Sequence, residues 1–190
     1  MSRLRVGAAA LVAAFGGGMW WASGRRRRTW HTDALTGVAT REGALRHLRS
    51  ELVRSARTGR VVGVAFCDVD AFKLVNDQHG HLAGDLVLVT VAQCIRDAVR
   101  PSDVVARVGG DEFVVVCGGL RSSEDMGVVT ERLHAALDCA SAGGDASNPL
   151  YEMSVTVSIG SATGRGGDAT PGALIHAADR SMYRQKGRRP

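Results

Sequence analysis

The stretch Arg107–Phe113 reads Arg-Val-Gly-Gly-Asp-Glu-Phe, and a short run of apolar, β-branched residues lies on each side of it. These two runs are Val104–Ala106 and Val114–Cys117. Runs of this kind predict buried strands. Adjacent Gly109 and Gly110 predict a tight hairpin between them, because glycine adopts a positive φ without a Cβ clash. The hairpin would carry Asp111 and Glu112 at its tip, although an ordinary solvated turn could have the same residues.

A second acidic segment follows the continuous apolar run Val61–Cys67, which is typical of a central strand. Asp68 and Asp70 come directly after this run, and the two-residue period of a strand sends both side chains to one face. Carboxylates at the end of a buried strand are unfavourable unless a cation or a donor meets them. Mg²⁺ prefers a few carboxylate oxygens together with substrate phosphates. The two segments therefore predict a magnesium–nucleotide site, with a merely polar strand end as the alternative.

The residues after Asp70 make the pattern specific, since residues 71–85 read AFKLVNDQHGHLAGD. With the two segments above, they resemble the GGDEF family, the diguanylate cyclases. The pattern of that family is Asp-x-Asp-x-Phe-Lys-x-x-Asn-Asp, then Gly-His-x-x-Gly-Asp, then the Gly-Gly-Asp/Glu-Glu-Phe hairpin. Three further segments resemble family motifs: Asp33–Gly37, Val155–Gly160 and Ala178–Tyr183. The resemblance covers about residues 33–187, and several ordered motifs are far more specific than one.

The order of elements and the resemblance both bear on the fold class. Apolar periodicity predicts a helix over 42–58, then strands and helices in the order β-α-α-β-β-α-β, then a closing helix that opens at Pro171. This order predicts an α/β (α+β) domain whose sheet contains antiparallel strands, with helices on one face. The resemblance implies a palm-like GGDEF domain with a central, mostly antiparallel sheet flanked by helices. Residues 140–149 are predicted to form a polar loop and residues 154–162 a strand.

The resemblance also implies an activity and a cofactor. Diguanylate cyclases condense two GTP molecules into cyclic di-GMP and release two pyrophosphates, assisted by two Mg²⁺ ions per active site, with Mn²⁺ as a possible substitute. Four residues are thereby implied as metal ligands: Asp68, Val69 through its carbonyl, Asp111 and Glu112. Asp111, Glu112 and Lys73 are implied as catalytic, with Asp111 as general base. For Asp70, a metal ligand and a structural ion pair both stay open.

A GTP site is implied by the same resemblance. Its residues in this chain are Phe72, Lys73, Asn76, His81, Asp85 and Lys186. A carboxylate such as Asp85 accepts from guanine N1–H and the 2-amino group, while the Asn76 amide both donates and accepts. Lys73 and Lys186 are the only lysines among 24 lysines and arginines, and a compact ammonium suits phosphate oxygens. Two alternatives stay open for this stretch: a helix cap at Asn76-Asp77, and a metal-binding pair of His79 and His81.

The segment Arg100–Asp103 precedes the hairpin at the spacing of the family's Arg-x-x-Asp inhibitory site. The resemblance implies that the product binds there and locks two domains apart. Arg100 would contact phosphate and guanine, and Asp103 the guanine edge. The alternative is an exposed helix C-terminus carrying an arginine, which the helix dipole favours in any case.

Charge and cysteine usage exclude other classes of function. The formal net charge is +5, but six arginines lie among residues 1–28, so the remainder of the chain is close to neutral. That remainder has no basic stripe interleaved with aromatic residues, and no nucleic-acid partner is expected. The four cysteines stand singly, without metal-ligand spacing, and indicate reduced, buried thiols rather than zinc ligands.

The N-terminal residues 1–24 are predicted to form a membrane anchor. Val6–Ser23 carries no charge, Trp20 and Trp21 would suit the headgroup interface, and four arginines, Arg25–Arg28, follow directly. Residues 25–32 would then be a basic juxtamembrane linker, and residues 33–190 the GGDEF catalytic domain. This predicts one transmembrane helix, a location at the cytoplasmic (inner) membrane, and a catalytic domain in the cytosol. A cleaved signal peptide and weak interfacial insertion are the alternatives.

Two departures from the family pattern bear on activity. Thr40 stands where the family usually has Asn, and the short end Lys186–Pro190 displaces the usual downstream arginine, which weakens the expectation of a second residue on the triphosphate. The chemistry implies a homodimer of GTP-loaded domains, yet the sequence offers no sensor domain to form it. The alternative function is a weakly active or inactive GGDEF domain that binds cyclic di-GMP as a signalling protein. A cyclase with a different cyclic product is a further alternative.

Overall fold

A computed structural model describes residues 32–142 and 148–186 of the chain. In these residues five strands and six helices follow one another. In chain order they are β1 (Ala39–Thr40), α1 (Arg41–Thr58), β2 (Val61–Val69), α2 (Phe72–His79), α3 (His81–Ala98), β3 (Val104–Arg107), β4 (Glu112–Leu120), α4 (Glu124–Ala142), α5 (Pro149–Glu152), β5 (Val157–Gly164) and α6 (Pro171–Lys186).

Local sequence signals set the limits of the first helix. The Thr40 hydroxyl accepts a hydrogen bond from the Gly43 backbone N–H and so caps the N-terminus of α1. Gly59 adopts a left-handed conformation, with φ of 67°, and its N–H donates to the carbonyl of Ser55. This glycine ends the helix and turns the chain into β2. The helix predicted over residues 42–58 is therefore confirmed to within one residue.

The five strands form one mixed sheet in the order β1-β3-β4-β2-β5. Only the short β1 runs parallel to its neighbour, β3, and the other three pairings are antiparallel. The central strand β2 pairs with β4 on one side and β5 on the other, which places Asp68 opposite Glu112 and opposite Ser158. This register brings acidic and hydroxyl side chains together at one end of the sheet.

Helices cover both faces of the sheet, so the prediction of helices on one face is wrong and the flanked sheet implied by the family is confirmed. Alternate residues of β2 enter two separate hydrophobic clusters, with Val62, Val64 and Phe66 on one face. The helices α1 and α6 pack on that face. The other face, which includes Ala65 and Cys67, is covered by α3 and α4. A strand that is apolar at every position is buried on both sides, which the run in β2 already indicated.

Two short elements were not predicted. The strand β1 has two residues and was missed because it lacks any periodic pattern, and it gains its place only by pairing with β3. The predicted loop over residues 140–149 is partly helical, because α4 continues to Ala142 and α5 begins at Pro149. The Asn148 side chain caps α5 by accepting a hydrogen bond from the Leu150 N–H. This cap was not recognised in the sequence, because Asn148 lies within the segment that was predicted to be a polar loop. The strand predicted from residue 154 begins at Val157.

The membrane prediction is corrected. Between residues 32 and 142 and between 148 and 186, no helix is both long and apolar enough to cross a bilayer. The physical reason is that these helices are amphipathic: the 18-residue α3, for example, carries Asp85, Arg96 and Asp97 on its exposed side. The predicted anchor, residues 1–24, and residues 25–31 of the predicted linker lie outside the described residues. The transmembrane helix and the location at the inner membrane are withdrawn.

Candidate active site

The hairpin between β3 and β4 is braced by Arg107. Its guanidinium donates two hydrogen bonds to the Gly110 carbonyl, at 3.1 and 2.6 Å, and lies 3.4 Å from Asp33 Oδ1. Partial burial raises the pKa of Asp33, but hydrogen bonds from Thr36 and the charge of Arg107 outweigh this effect and lower the pKa overall. Asp33 is therefore held as a carboxylate, and the turn that carries Asp111 has a defined shape.

At the hairpin glycines the structure gives a reason for Gly109 that differs from the predicted one, whereas a Cβ at Gly110 would meet open space. Neither Gly109 nor Gly110 has a positive φ. A Cβ at position 109 would instead overlap the Oε2 atom of Glu112 and lie 2.9 Å from its Cδ. The missing side chain lets the Glu112 carboxylate fold back against the turn, so the glycine serves close approach and not backbone conformation.

Acidic residues from the two distant stretches meet at the end of β2. Asp68 pairs across the sheet with Glu112, and the Val69 N–H donates to the Asp111 carbonyl at 3.2 Å. The pKa of Glu112 is raised, first by burial and then by the charges of Asp111 and Asp68. The carboxylates are thus close enough to repel one another, which is the condition that a bound cation relieves.

Asp70 has a structural role. Its carboxylate accepts hydrogen bonds from the hydroxyls of Thr156 and Ser158, each at 2.7 Å, and its backbone N–H donates to the Thr156 carbonyl at 2.9 Å. Asp70 thereby joins the end of β2 to the start of β5. Of the two alternatives that the sequence left open, this geometry favours the structural one.

Lys186, the last residue of α6, contacts this acidic end. Its ammonium donates to Asp68 Oδ1 and lies 3.4 Å from Asp70 Oδ1. Burial lowers the pKa of Lys186, but the hydrogen bond and the charges of the two aspartates outweigh burial and raise the pKa. The sequence predicted this lysine for the triphosphate, and in the structure it pairs with a predicted metal ligand.

The ligand atoms at this end of the sheet are of the type that a hard divalent cation prefers. Asp68, Asp111 and the Val69 carbonyl offer oxygen ligands only. Burial raises the pKa of Glu112, and the negative charges of Asp111 and Asp68 raise this pKa further. In the described ranges, however, no three His, Cys, Asp or Glu side chains are arranged as a preformed metal cluster. Magnesium commonly binds one or two carboxylates and completes its shell with water and substrate phosphate, so such a cluster is not required.

The loop from β2 into α2 is tightly turned. Ala71 has φ of 54° and ψ of 26°, a left-handed conformation that is unfavourable for a residue with a Cβ. It redirects the chain directly after Asp70, so that Phe72 and Lys73 begin α2 beside the acidic end. Lys73 is exposed there. The unusual backbone conformation of Ala71 therefore lies between the predicted metal ligands at the end of β2 and the predicted nucleotide-binding residues at the start of α2.

The predicted guanine residues lie on the paired helices α2 and α3. Asn76 is half-buried, and a Cβ at position 84 would overlap its Oδ1 atom and lie 3.1 Å from Phe72 Cζ. Gly84 thus allows α3 to approach Asn76 closely. Asp85, the next residue, is exposed, as is His81 at the start of α3. Asn76 and Asp85 thus lie on adjoining helices, with Asn76 half-buried and Asp85 exposed.

The predicted product site lies apart from this cluster. The Arg100 N–H donates to Asp103 Oδ2 at 3.0 Å, and the Asp103 N–H donates to the Arg100 carbonyl at 2.9 Å. Burial raises the pKa of Asp103 despite these contacts. Both residues line a cavity of about 520 Å³ beside Val38 and Ala39, at the β1 edge of the sheet. Arg100 also borders a second cavity of about 440 Å³ that is rich in arginine.

Three residues that contact this site and help to shape it were not singled out from the sequence: Asp33, Gly84 and Arg107. All three lie inside motifs that were recognised as patterns. Asp33 and Arg107 are 74 residues apart, and only the parallel pairing of β1 with β3 brings them together. The role of Gly84 depends on the distance between two helices, which spacing alone does not give.

The fold and the site define the class of protein. It is a mixed α/β domain in which an acidic end of the sheet, lined by oxygen atoms, lies beside two polar helices. Residues 30–189 match the family described as "Diguanylate cyclase, GGDEF domain". The chain belongs to the GGDEF family.

Named relatives and solved structures agree with this assignment. The diguanylate cyclase TpbB of Pseudomonas aeruginosa is 40% identical over 157 residues, which are 80% of this chain and 34% of TpbB. A structure of the TpbB GGDEF domain has a TM-score of 0.73 at 35% identity, with 84% of this chain and 90% of that one covered. The GGDEF domain of DgcB from Caulobacter crescentus, in complex with c-di-GMP, has a TM-score of 0.71 at 27% identity, covering 87% and 95%. This chain therefore spans about a third of the length of TpbB.

Proposed function

We propose that this chain condenses two GTP molecules into cyclic di-GMP with release of two pyrophosphates. The observation that carries the proposal is the meeting of acids from two distant stretches. Asp68 faces Glu112 across β2 and β4, and the Asp111 carbonyl accepts a hydrogen bond from the Val69 N–H. Membership of a family whose relatives are named diguanylate cyclases supports the same reaction.

Asp68, the Val69 carbonyl and Asp111 are the proposed ligands of a divalent cation, Mg²⁺ or Mn²⁺, with Glu112 at a second one. When bound, such a cation neutralises charge on the phosphates and makes a nearby hydroxyl easier to deprotonate. Asp111 accepts the proton of the attacking 3′-hydroxyl. Lys73, exposed on the first turn of α2, supplies a positive charge to the phosphates.

Asn76 and Asp85 are the proposed guanine-recognising residues, with His81 and Phe72 at the rim. The Asp85 carboxylate accepts hydrogen bonds from the N1–H and 2-amino groups of guanine. The Asn76 amide, which both donates and accepts, hydrogen-bonds with the remaining polar groups of the base. Adenine lacks this pattern of donors, so it would leave these polar groups unpaired. GTP is therefore the expected substrate and ATP is not.

The reaction needs two such sites facing each other, because each GTP supplies a hydroxyl that attacks the other nucleotide. We therefore infer a homodimer as the active form. Arg100 and Asp103 are proposed to bind the product in the cavity beside β1, which is supported by their hydrogen-bonded turn and by the volume of that cavity. Product bound there would hold two copies apart.

The experiment that tests this function is mass analysis of the products formed from GTP or ATP with Mg²⁺. We expect cyclic di-GMP and pyrophosphate from GTP, and neither product from ATP. Asp111→Asn should reduce the rate about 100-fold or more, whereas Asp138→Asn, an exposed carboxylate on α4, should leave it unchanged.

Equal rates in these two variants would refute the assigned site, and another cyclic nucleotide would refute the product. Binding of cyclic di-GMP without release of pyrophosphate at high protein concentration would replace this proposal with the signalling-protein alternative.

A further inference from the structure

The ammonium of Lys186 closes the acidic end of β2. It donates to Asp68 Oδ1 and lies 3.4 Å from Asp70 Oδ1. The lysine side chain is 40% exposed, whereas those of Asp68 and Asp70 are 16% and 19% exposed. The positive charge therefore reaches from the rim of the site onto carboxylates that are mostly withdrawn from water.

The two aspartates differ in how much they depend on this lysine. Asp70 also accepts hydrogen bonds from the Thr156 and Ser158 hydroxyls, at 2.7 Å each. Within the described residues, the side chain of Asp68 has no hydrogen bond other than the one from Lys186. Lys186 is thus the counter-ion of Asp68 in particular, and Asp70 mainly keeps the strand end in place.

A divalent cation and this ammonium compete for Asp68. Both would bind the same carboxylate, and without the negative phosphates of a nucleotide to offset it, the repulsion between two cations a few ångströms apart is strong at a partly buried site. Asp68 is also the residue that the proposed function assigns to the metal. A cation that binds Asp68 in the nucleotide-free protein must therefore displace Lys186 or bind against its positive charge.

We propose that Lys186 is a tethered competitor of the divalent cation, which occupies Asp68 until the phosphates of an incoming nucleotide draw the ammonium away. This inference rests on the metal site of the proposed function. Lys186 ends α6, so its flexible four-carbon stem can swing without moving the helix. The phosphate oxygens of a nucleoside triphosphate are the competing acceptors. Metal and nucleotide then bind together, and the nucleotide-free protein has only a low affinity for the metal.

The test is a Mn²⁺ titration of the full chain, followed by electron paramagnetic resonance, first without nucleotide and then with a non-hydrolysable GTP analogue. Lys186→Met removes the charge and keeps the length of the side chain. Arg184→Met is the matched control, because Arg184 is exposed in the same last turn of α6 and the change in net charge is identical.

Without nucleotide, Lys186→Met should bind Mn²⁺ at least about fivefold more tightly than the wild-type chain, and Arg184→Met less than about twofold more tightly. With the analogue present, the advantage of Lys186→Met should vanish or reverse. Adding Asp68→Asn to Lys186→Met should abolish the gain.

Equal Mn²⁺ affinity of Lys186→Met and Arg184→Met without nucleotide, including undetectable binding by both, would overturn the competition. A gain that survives Asp68→Asn would overturn it as well. Failure of the proposed function is seen separately, since cyclic di-GMP formation that is unaffected by Asp68→Asn would reject the metal site whatever the titration of Lys186→Met gives.

Discussion

Among single residues, Glu112 experiences the repulsion at the acidic end of the sheet most directly. Its pKa is raised by burial and then by Asp111, Asp68 and Asp179, while Arg41 acts in the opposite direction. The folded state therefore binds the Glu112 proton more tightly than the unfolded state does. Ionised Glu112 therefore destabilises the metal-free protein once the pH rises through the raised pKa. This destabilisation is absent well below the ordinary pKa of 4.5, where Glu112 is protonated in both states.

Glu112→Gln should consequently stabilise the metal-free protein while lowering its activity. In buffer with a chelator at pH 7, we expect the melting temperature to rise by about 1–3 °C, and the gain to disappear near pH 3. Thermal melts across this pH range measure the effect, with Glu131→Gln on the exposed face of α4 as control. A gain that is independent of pH would show that charge repulsion is not its cause.

Gly84 decides how closely α3 approaches Asn76. In Gly84→Ala the new Cβ would overlap Asn76 Oδ1 and press on Phe72, so we expect a KM for GTP that is about tenfold higher. The free energy of unfolding should fall by about 1–3 kcal/mol. Steady-state kinetics and urea denaturation measure the two effects.

Gly127→Ala is the matched control, since position 127 in α4 has open space around it and alanine favours a helix. It should leave KM unchanged and should not lower stability. An unchanged KM in Gly84→Ala would show that the position of Asn76 does not matter for GTP.

Among the elements, the packing of α6 on β5 determines whether Lys186 reaches the acidic end. Gly160 in β5 lies directly under the α6 backbone: a Cβ there would overlap the Met182 nitrogen and lie 2.6 Å from the Ala178 carbonyl oxygen. Backbone cannot move aside as a flexible side chain can. Gly160→Ala should lower the free energy of unfolding by about 3 kcal/mol or more.

Gly172→Ala, in the first turn of the same helix with open space around it, should change that free energy by less than about 1 kcal/mol. Urea denaturation of both variants provides the comparison. Equal stability of the two variants would contradict the tight contact between α6 and β5.

A helix or strand could be predicted when the residues that determine it lie within the element itself or next to it in the sequence. The strand β2 and the helices α1 and α6 have long apolar patterns, clear caps or an opening proline, and were predicted to within a few residues. The strand β1 has two residues and exists through its pairing with β3. The coverage of both faces also depends on tertiary packing, although the unbroken apolar run of β2 contained that information.

The same distinction applies to the candidate site. The acids of β2 and of the hairpin could be assigned to one site from the sequence, because the resemblance to the family implies both sets as metal ligands, and in the structure β2 pairs with β4, which begins at Glu112. The brace from Arg107 to Asp33 and the contact of Lys186 with Asp68 could not, because each joins residues far apart in the chain through the sheet or through α6.

For the molecule as a whole, the candidate active site and the candidate product site lie in different places on one domain. Arg100 and Asp103 line the cavity at the β1 edge, whereas the acids lie at the end of β2. Arg100→Ala should therefore relieve inhibition by added cyclic di-GMP and preserve the uninhibited rate. The control is Arg49→Ala, an exposed residue on α1. Inhibition curves measure both, and inhibition that persists in Arg100→Ala would reject the product site.

The activity proposed for this chain depends on Asp68, Val69 and Asp111 together holding a divalent cation against GTP. The most direct measurement is an anomalous difference map from crystals of the protein grown with Mn²⁺ and a non-hydrolysable GTP analogue. We expect a manganese peak about 2.0–2.4 Å from oxygens of Asp68, Asp111 and the Val69 carbonyl, and in contact with the phosphates. A bound nucleotide with manganese elsewhere, or with no manganese on these oxygens, would contradict it.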